Sequence, residues 1–321
     1  MTKVLLTGGS GFLGSGILNR LILDGFHTTA VVRRALDGFP KIIQKELKFS
    51  FDGELDWSGC IESQEVVIHC AARAHILNDK SVDPIAEFRN INVNGTLNLA
   101  RQAIEAGIRR FIFISSIGVN GAQTSNAPFT ELSEPLPHAD YALSKLEAEQ
   151  GLRELVKGTG MELVIVRPPL VYASHAPGNF QRLLKLVSIG LPLPFASVRN
   201  QRSMIALENL VDFITHCIDH PAAANELFLI SDGIEFSMPE IVRSLAAGMG
   251  RKAYLLPLPD GLMRWGGRLL KKEGMYTQLC GSLIIDSSKA RNLLGWSPRV
   301  TPAMALFKAG QDYQQHIALR S

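Results

Sequence analysis

The sequence predicts an α/β fold: a doubly wound parallel sheet with a smaller C-terminal lobe. Three observations point there. Strand-like and helix-like segments alternate through the first half of the chain, as in a parallel sheet covered by helices on both faces. The runs Val66-Val67-Ile68 and Phe111-Ile112-Phe113-Ile114 are apolar without alternation, as strands buried on both sides are. After Pro168 the texture changes, with Pro168-Pro169, Pro177-Gly178, Pro192, Pro194, Pro257 and Pro259 punctuating shorter segments.

The first strand is expected at 3–7. It runs into Gly8, Gly11 and Gly14, and a helix over 12–24 follows with Phe12, Leu13, Ile17 and Leu21 on its apolar face. Glycine permits the tight turn, lets backbone approach a pyrophosphate, and lets helix pack on strand, which is the signature of a Rossmann-like sheet. The helix N-terminus adds unpaired N–H groups for an anion. Further strands are expected at 28–32, 47–51, 66–70, 110–115 and 162–167, with helices at 82–106, 140–158 and 179–189. Strands near 202–206 and 226–230 are expected to return to the main sheet. Residues 1–172 then form the dinucleotide domain with a returning segment at about 203–232, and 173–202 with 233–321 form the lobe.

Composition narrows the function classes. At 321 residues, 46% apolar and 20% charged, the chain can bury a full core. A formal charge of +3, without a Lys/Arg block or an aromatic-basic stripe, argues against nucleic-acid binding. Cys60, Cys70, Cys217 and Cys280 lie far apart, so neither a disulfide framework nor a metal site is expected. A strand signal at residue 3 leads to the expectation of a cytoplasmic protein without a leader. No apolar run suggests membrane insertion. Leu262–Lys272 reads as a basic amphipathic helix, taken as a solvated face of the lobe, with contact to a membrane surface as the other reading.

Chemistry concentrates at Tyr141-Ala142-Leu143-Ser144-Lys145. Four residues is one helical turn, so Tyr141 and Lys145 share a face. A free phenol is a useful acid/base at neutral pH only after a shift of about three units, roughly 4 kcal/mol. An ammonium about 4 Å away in a partly dry site supplies that much. Upstream, Ser115-Ser116 follow a strand expected to open on the ligand crevice, where a hydroxyl can hydrogen-bond a reacting oxygen. The second strand ends in Arg33-Arg34, with no carboxylate until Asp37. Guanidinium groups suit a 2′-phosphate, so NADP(H) is favoured, with NAD(H) possible.

Over nearly its whole length the chain resembles extended short-chain dehydrogenases/reductases of the sugar-nucleotide epimerase/dehydratase family. The matching pieces are residues 7–14 (TGGSGFLG), 68–72 (IHCAA), 92–96 (NVNGT), Ser115-Ser116, 141–145 (YALSK) and Arg167-Pro168-Pro169. The resemblance implies that Ser116 positions the substrate oxygen, that Tyr141 donates or accepts its proton, and that Lys145 tunes Tyr141 and binds the nicotinamide ribose. It implies that Ala71 and Ala72 approach the cofactor by backbone, Asn92 braces the sheet, Pro168 flanks the nicotinamide and Asp52 meets adenine. On the substrate side it assigns Asn179 and Arg202 to a nucleotide diphosphate and Leu193 and Phe195 to the cover over uracil; His75 and Glu131 are read as structural hydrogen-bonding residues, with extra sugar contacts as the other reading. It implies a UDP-sugar substrate and a homodimer.

Departures narrow the reading. Leu170 stands where many UDP-galactose 4-epimerases carry asparagine, and Asn120-Gly121 replaces tyrosine-glycine. The combination SSIxVNG, RPPLVY, GNFxxLLKLV, GLPLPF and GSLxxD resembles bacterial surface-polysaccharide (O-antigen) enzymes. These reduce C4 of UDP-4-keto-6-deoxy-N-acetylhexosamine. Apolar Leu170 and Val119 are expected to suit a deoxygenated sugar. The rival reading is a UDP-glucose or UDP-N-acetylglucosamine 4-epimerase with tightly held NAD. A 4,6-dehydratase is disfavoured because Ile117-Gly118, not a carboxylate pair, follows Ser116. A non-catalytic NADP-sensing regulator is disfavoured by the intact Ser116, Tyr141 and Lys145.

Overall fold

The structure is a computed structural model that describes residues 1–32, 43–46, 53–74, 83–125, 127–259, 261–263 and 273–319. The chain starts with β1 (Lys3–Thr7), α1 (Phe12–Leu23), β2 (His27–Val32), β3 (Ile43–Glu46), α2 (Ser58–Ile61) and β4 (Val66–His69). There follow α3 (Pro84–Phe88), a π-helical turn (Arg89–Gly95), α4 (Thr96–Glu105), β5 (Arg110–Ile114), α5 (Asp140–Leu155), β6 (Glu162–Arg167) and β7 (Leu170–Tyr172). The remainder comprises α6 (Asn179–Ile189), β8 (Met204–Ala206), α7 (Leu207–His216), β9 (Leu227–Leu229), α8 (Met238–Gly248), α9 (Glu273–Cys280), α10 (Ser288–Leu294) and α11 (Pro302–Ala318).

Among the described residues, seven parallel strands form one sheet in the order β3-β2-β1-β4-β5-β6-β9. The order reverses between β1 and β4, with Thr7 opposite His69. That reversal opens a crevice beyond the strand carboxyl ends, where such sheets bind ligands. Alternation along each strand builds two cores, one per face. Leu6, Ile17, Leu21, Ile68, Phe213 and Trp296 pack together on one side. Leu5, Val67, Leu99, Phe111 and Leu152 pack on the other. A third cluster gathers Tyr172, Phe180, Leu184, Leu245 and Leu306, with α8 against α11.

One strand expectation changes, and another lies outside the described residues. The edge strand lies at Ile43–Glu46 and pairs with Thr29–Val32, ahead of the expected 47–51, whose residues lie outside those described. The strand near 202–206 does not rejoin the main sheet: β8 pairs in parallel with β7 as a separate pair. The edge of β6 is already taken by β9, which places Leu227 opposite Ile165. The expected returning strand near 226–230 does join there.

Candidate active site

The glycine turn closes against the end of β4. Gly8 has φ +73°, and a Cβ there would lie 2.7 Å from the backbone N of Ala71. At Gly14 a Cβ would lie 2.1 Å from the Gly8 carbonyl oxygen. Gly11 precedes α1 without a side-chain cap, and its N–H donates to Gly8 O at 2.9 Å. The result is a tight backbone cradle at a helix N-terminus, free of side-chain bulk, and these residues fit a dinucleotide pyrophosphate. Phe12, in the first turn of α1, packs edge-on to His175 at 5.2 Å between ring centroids, and Leu13 packs on the core.

Behind the cradle a buried chain of hydrogen bonds crosses the sheet. The Ala71 N–H donates to Thr7 Oγ1 (3.3 Å), and Thr96 Oγ1 donates to Asn92 O (2.7 Å). His69 bridges them, with Nδ1 2.7 Å from Thr7 Oγ1 and Nε2 2.9 Å from Thr96 Oγ1. Burial holds the imidazole well below its ordinary value, so it is neutral. With the Thr96 hydroxyl proton committed to Asn92, the Nε2–H tautomer satisfies every partner. Asn92 sits in the π-helical turn. Its Oδ1 accepts from Arg73 N (2.8 Å), and its Nδ2 donates to Arg73 O (3.1 Å) and Ser144 Oγ (3.0 Å). It thereby ties the segment after β4, which includes Ala71 and Ala72, to α5.

Helix α5 brings Tyr141 and Lys145 to the end of β5. Lys145 is buried, donates from Nζ to Ile114 O at 2.9 Å, and lies 4.5 Å from the Phe113 ring centroid. Its Nζ is 6.0 Å from the Tyr141 ring centroid. Ser116 leaves β5 in extended conformation and accepts from Gly118 N at 3.1 Å. A Cβ at Gly118 would lie 3.3 Å from both Ser116 Oγ and Ala142 Cβ, so Gly118 stands close to the hydroxyl and to the first turn of α5. Pro168 joins the same corner, its carbonyl accepting from Ile117 N at 3.0 Å. Ser116, Tyr141, Lys145 and Pro168 are brought together.

The electrostatics differ from the sequence expectation. Burial pushes the Tyr141 phenol up to about 12 and draws Lys145 down to about 8, against the opposing influence of Cys70 and Glu149. The ammonium serves Ile114 O rather than the phenol, and desolvation outweighs its field. Tyr141 is therefore a protonated acid in this state, not an already softened one. A stability consequence follows. Between pH about 8 and 10.5 the unfolded state binds more protons at Lys145, so this group's destabilising contribution fades as pH rises. Relative to Lys145→Met, the native protein is expected to lose about 3 kcal/mol below pH 8 and to recover it towards pH 10.5. Urea melts of both proteins across that range measure it.

One residue passed over in the sequence, Glu149, stands directly behind this corner with Arg167, Asn120 and Ser115. Glu149, one turn beyond Lys145, is buried and pairs with Arg167: Nε to Oε1 is 2.9 Å and Nη2 to Oε2 is 2.5 Å. Arg167 Nη1 also donates to Asn120 Oδ1 at 2.9 Å, and Ser115 Oγ donates to Glu149 Oε1. The signal was present as a carboxylate extending the Tyr141–Lys145 stripe by one more turn.

On the lobe side, Arg202 is buried and donates from Nη1 to Gly281 O at 2.9 Å, and burial draws its guanidinium below the ordinary value. Asn200 Nδ2 donates to Leu279 O and Gly281 O, so the 200–202 and 279–283 segments are mated. Asn179 opens α6 after Gly178, whose φ is +74°. Leu193 and Phe195 turn their side chains into the third core cluster. Val119 is wholly buried and shows no surface to a ligand, whereas Leu170 is 38% exposed. Glu131 Oε1 accepts from Leu229 N at 2.9 Å, a contact that anchors β9. Arg33, Arg34, Asp52 and His75 lie outside the described residues.

Comparison with known proteins supplies the family. The NAD dependent epimerase/dehydratase family matches residues 4–231. A UDP-glucose 4-epimerase of Vibrio cholerae is 41% identical over 318 residues, covering 98% of this chain and 96% of its own. Among solved structures, a UDP-glucose 4-epimerase of Thermotoga maritima with UDP-glucose superposes with TM-score 0.75 at 22% identity, covering 99% of this chain and 100% of that one. A UDP-glucuronic acid 4-epimerase of Bacillus cereus in complex with NAD gives TM-score 0.78 at 20% identity, covering 98% and 99%. These two structural likenesses concern the fold.

Proposed function

The chain belongs to the NAD-dependent epimerase/dehydratase family, and from that premise we propose that it catalyses hydride transfer at C4 of a UDP-sugar. The finer reading is reduction of the C4 ketone of UDP-4-keto-6-deoxy-N-acetylhexosamine in surface-polysaccharide synthesis. The observation that carries it is the corner where Ser116, Tyr141 and Lys145 meet beside the glycine cradle, with the phenol held protonated. A reductase needs a proton donor at that point.

Gly8, Gly11 and Gly14 would hold the dinucleotide pyrophosphate, Lys145 its nicotinamide ribose, and Pro168 the nicotinamide edge. When bound, that group supplies the hydride. Ser116 hydrogen-bonds the C4 oxygen and orients the ketone. As C4 is reduced, Tyr141 gives its proton to the oxygen, and the phenolate left behind is stabilised by the nearby Lys145 ammonium. Arg202, buried without a salt-bridge partner among the described residues, receives the diphosphate, with Asn179 beside it. Leu170 offers an apolar contact to a deoxygenated sugar. Residues 1–172 with about 203–232 serve the dinucleotide, and 173–202 with 233–321 the nucleotide sugar. A cytoplasmic homodimer belongs to the same reading. NAD in the solved relative supports NAD(H); the pair Arg33-Arg34 supports NADP(H), and kcat/KM with each reductant separates them.

A second reading, a UDP-hexose 4-epimerase, is favoured by the 41% identical relative. Incubation with UDP-4-keto-6-deoxy-N-acetylglucosamine and NADPH or NADH separates the two. Consumption of reductant, with a product two hydrogens heavier, is expected. Interconversion of UDP-glucose and UDP-galactose without reductant would put the epimerase in its place.

A further inference from the structure

Two neighbouring segments of the chain carry no acidic residue: 173–207 and 241–259. Between them they hold Arg182, Lys185, Arg199, Arg202, Arg243, Arg251 and Lys252. The fold lays parts of the two side by side. Leu193 N donates to Tyr254 O and Leu256 N to Leu193 O, both at 2.8 Å, and Ala196 N donates to Leu256 O at 3.1 Å. A Cβ at Gly190 would stand 3.6 Å from Arg251 Nη1, which places that guanidinium at the end of α6.

The inward side of this layer is already satisfied. Leu183, Leu184, Val187 and Leu193 pack into the third core cluster. The outward side is apolar without need: Ile189 is 52% exposed, Leu191 57%, Tyr254 59% and Leu256 48%. Single exposed leucines need no explanation, but four large apolar side chains on adjoining segments form a patch. Cations beside it and the absence of carboxylates from both segments set the partner's chemistry. A protein partner or a second copy would have to bring a matching acidic, apolar face. An anionic bilayer presents negative headgroups above hydrocarbon, and a tyrosine suits the boundary between them.

We propose that this face, formed by the end of α6 and the 251–256 segment, docks peripherally on an anionic phospholipid surface. No step of the reaction depends on it. No helix among the described residues is long and apolar enough to cross a membrane, and docking requires none. Shallow burial of Ile189, Leu191 and Leu256 would combine with attraction of Arg251, Lys252 and Lys185 to the headgroups. Near such a surface each basic residue contributes about a five-fold increase in partitioning at moderate ionic strength.

Co-sedimentation of the full-length protein with vesicles tests the proposal. Binding is expected to equimolar phosphatidylglycerol/phosphatidylcholine vesicles and not to pure phosphatidylcholine, with release at high salt. Arg251→Glu should weaken binding by more than about five-fold, and Ile189→Asp should abolish it. Both variants should retain turnover on soluble substrate and the native circular dichroism spectrum. Equal binding to both vesicle types, no binding to either, or unchanged binding by well-folded variants would overturn the proposal. So would light scattering showing that both variants dissociate an oligomer, because the face would then be a protein interface.

Discussion

Replacing Tyr141 with phenylalanine is expected to lower kcat by about 10²–10⁴-fold while leaving dinucleotide affinity within a few-fold. The ring keeps its edge contact with Phe88, at 6.3 Å between centroids, so the variant loses a proton and not a packing element. Steady-state kinetics with the 4-keto sugar, beside a fluorescence titration of the cofactor, measure the two quantities separately. Because burial places the phenol near 12, the wild-type donor should remain protonated through pH 9. Its rate in the reductive direction should therefore show no loss on the alkaline side attributable to this group before substrate binds. Unchanged turnover in Tyr141→Phe would remove Tyr141 from the chemistry, and with it the mechanism given above.

The second large effect is structural. Arg167→Met should destabilise the fold by about 3–5 kcal/mol, because it leaves the Glu149 carboxylate buried without its charge partner. For a chain of this size the melting temperature should fall by roughly 4–7 °C. The double variant Glu149→Leu with Arg167→Met should recover much of that loss, since two apolar side chains demand no desolvation. Differential scanning calorimetry decides the matter. A single variant as stable as the wild type would mean that the pair adds nothing beyond packing. Ser115 and Asn120 both bond to this pair, so the single variant should also lose activity through displacement of Ser116 between them.

The interior of the sheet could be read from the sequence because strands buried on both faces have no alternative use for a run such as Phe111–Ile114. At the edge composition says little, because β3 is held by its backbone ladder to β2. Tyr141 and Lys145 were legible because one helical turn fixes their relation. Glu149 lies one more turn along the same stripe, yet in a segment rich in Glu and Lys it reads as solvated surface. Only its distant partner Arg167 makes it interior. His69 was hidden for a related reason: Thr7 and Thr96 lie 62 and 27 residues away, and nothing local announces that they meet. Leu193 and Phe195 show the converse, since an apolar residue after a proline fits a ligand cover and a core equally well. Their burial with Leu184 and Leu245 settles where the side chains go.

The π-helical stretch Arg89–Gly95 gives the chain a constraint of length. A wider turn accommodates residues that a regular α-helix would pack more tightly, and it sets the phase of all that follows. Deleting a single residue there would rotate α4 by about 100° about its axis. Leu99 and Ala103 would swing out of the core and Asn92 away from Arg73. Substitutions along this segment can be absorbed one side chain at a time, but its spacing tolerates no indel, and gaps among homologous sequences should avoid it.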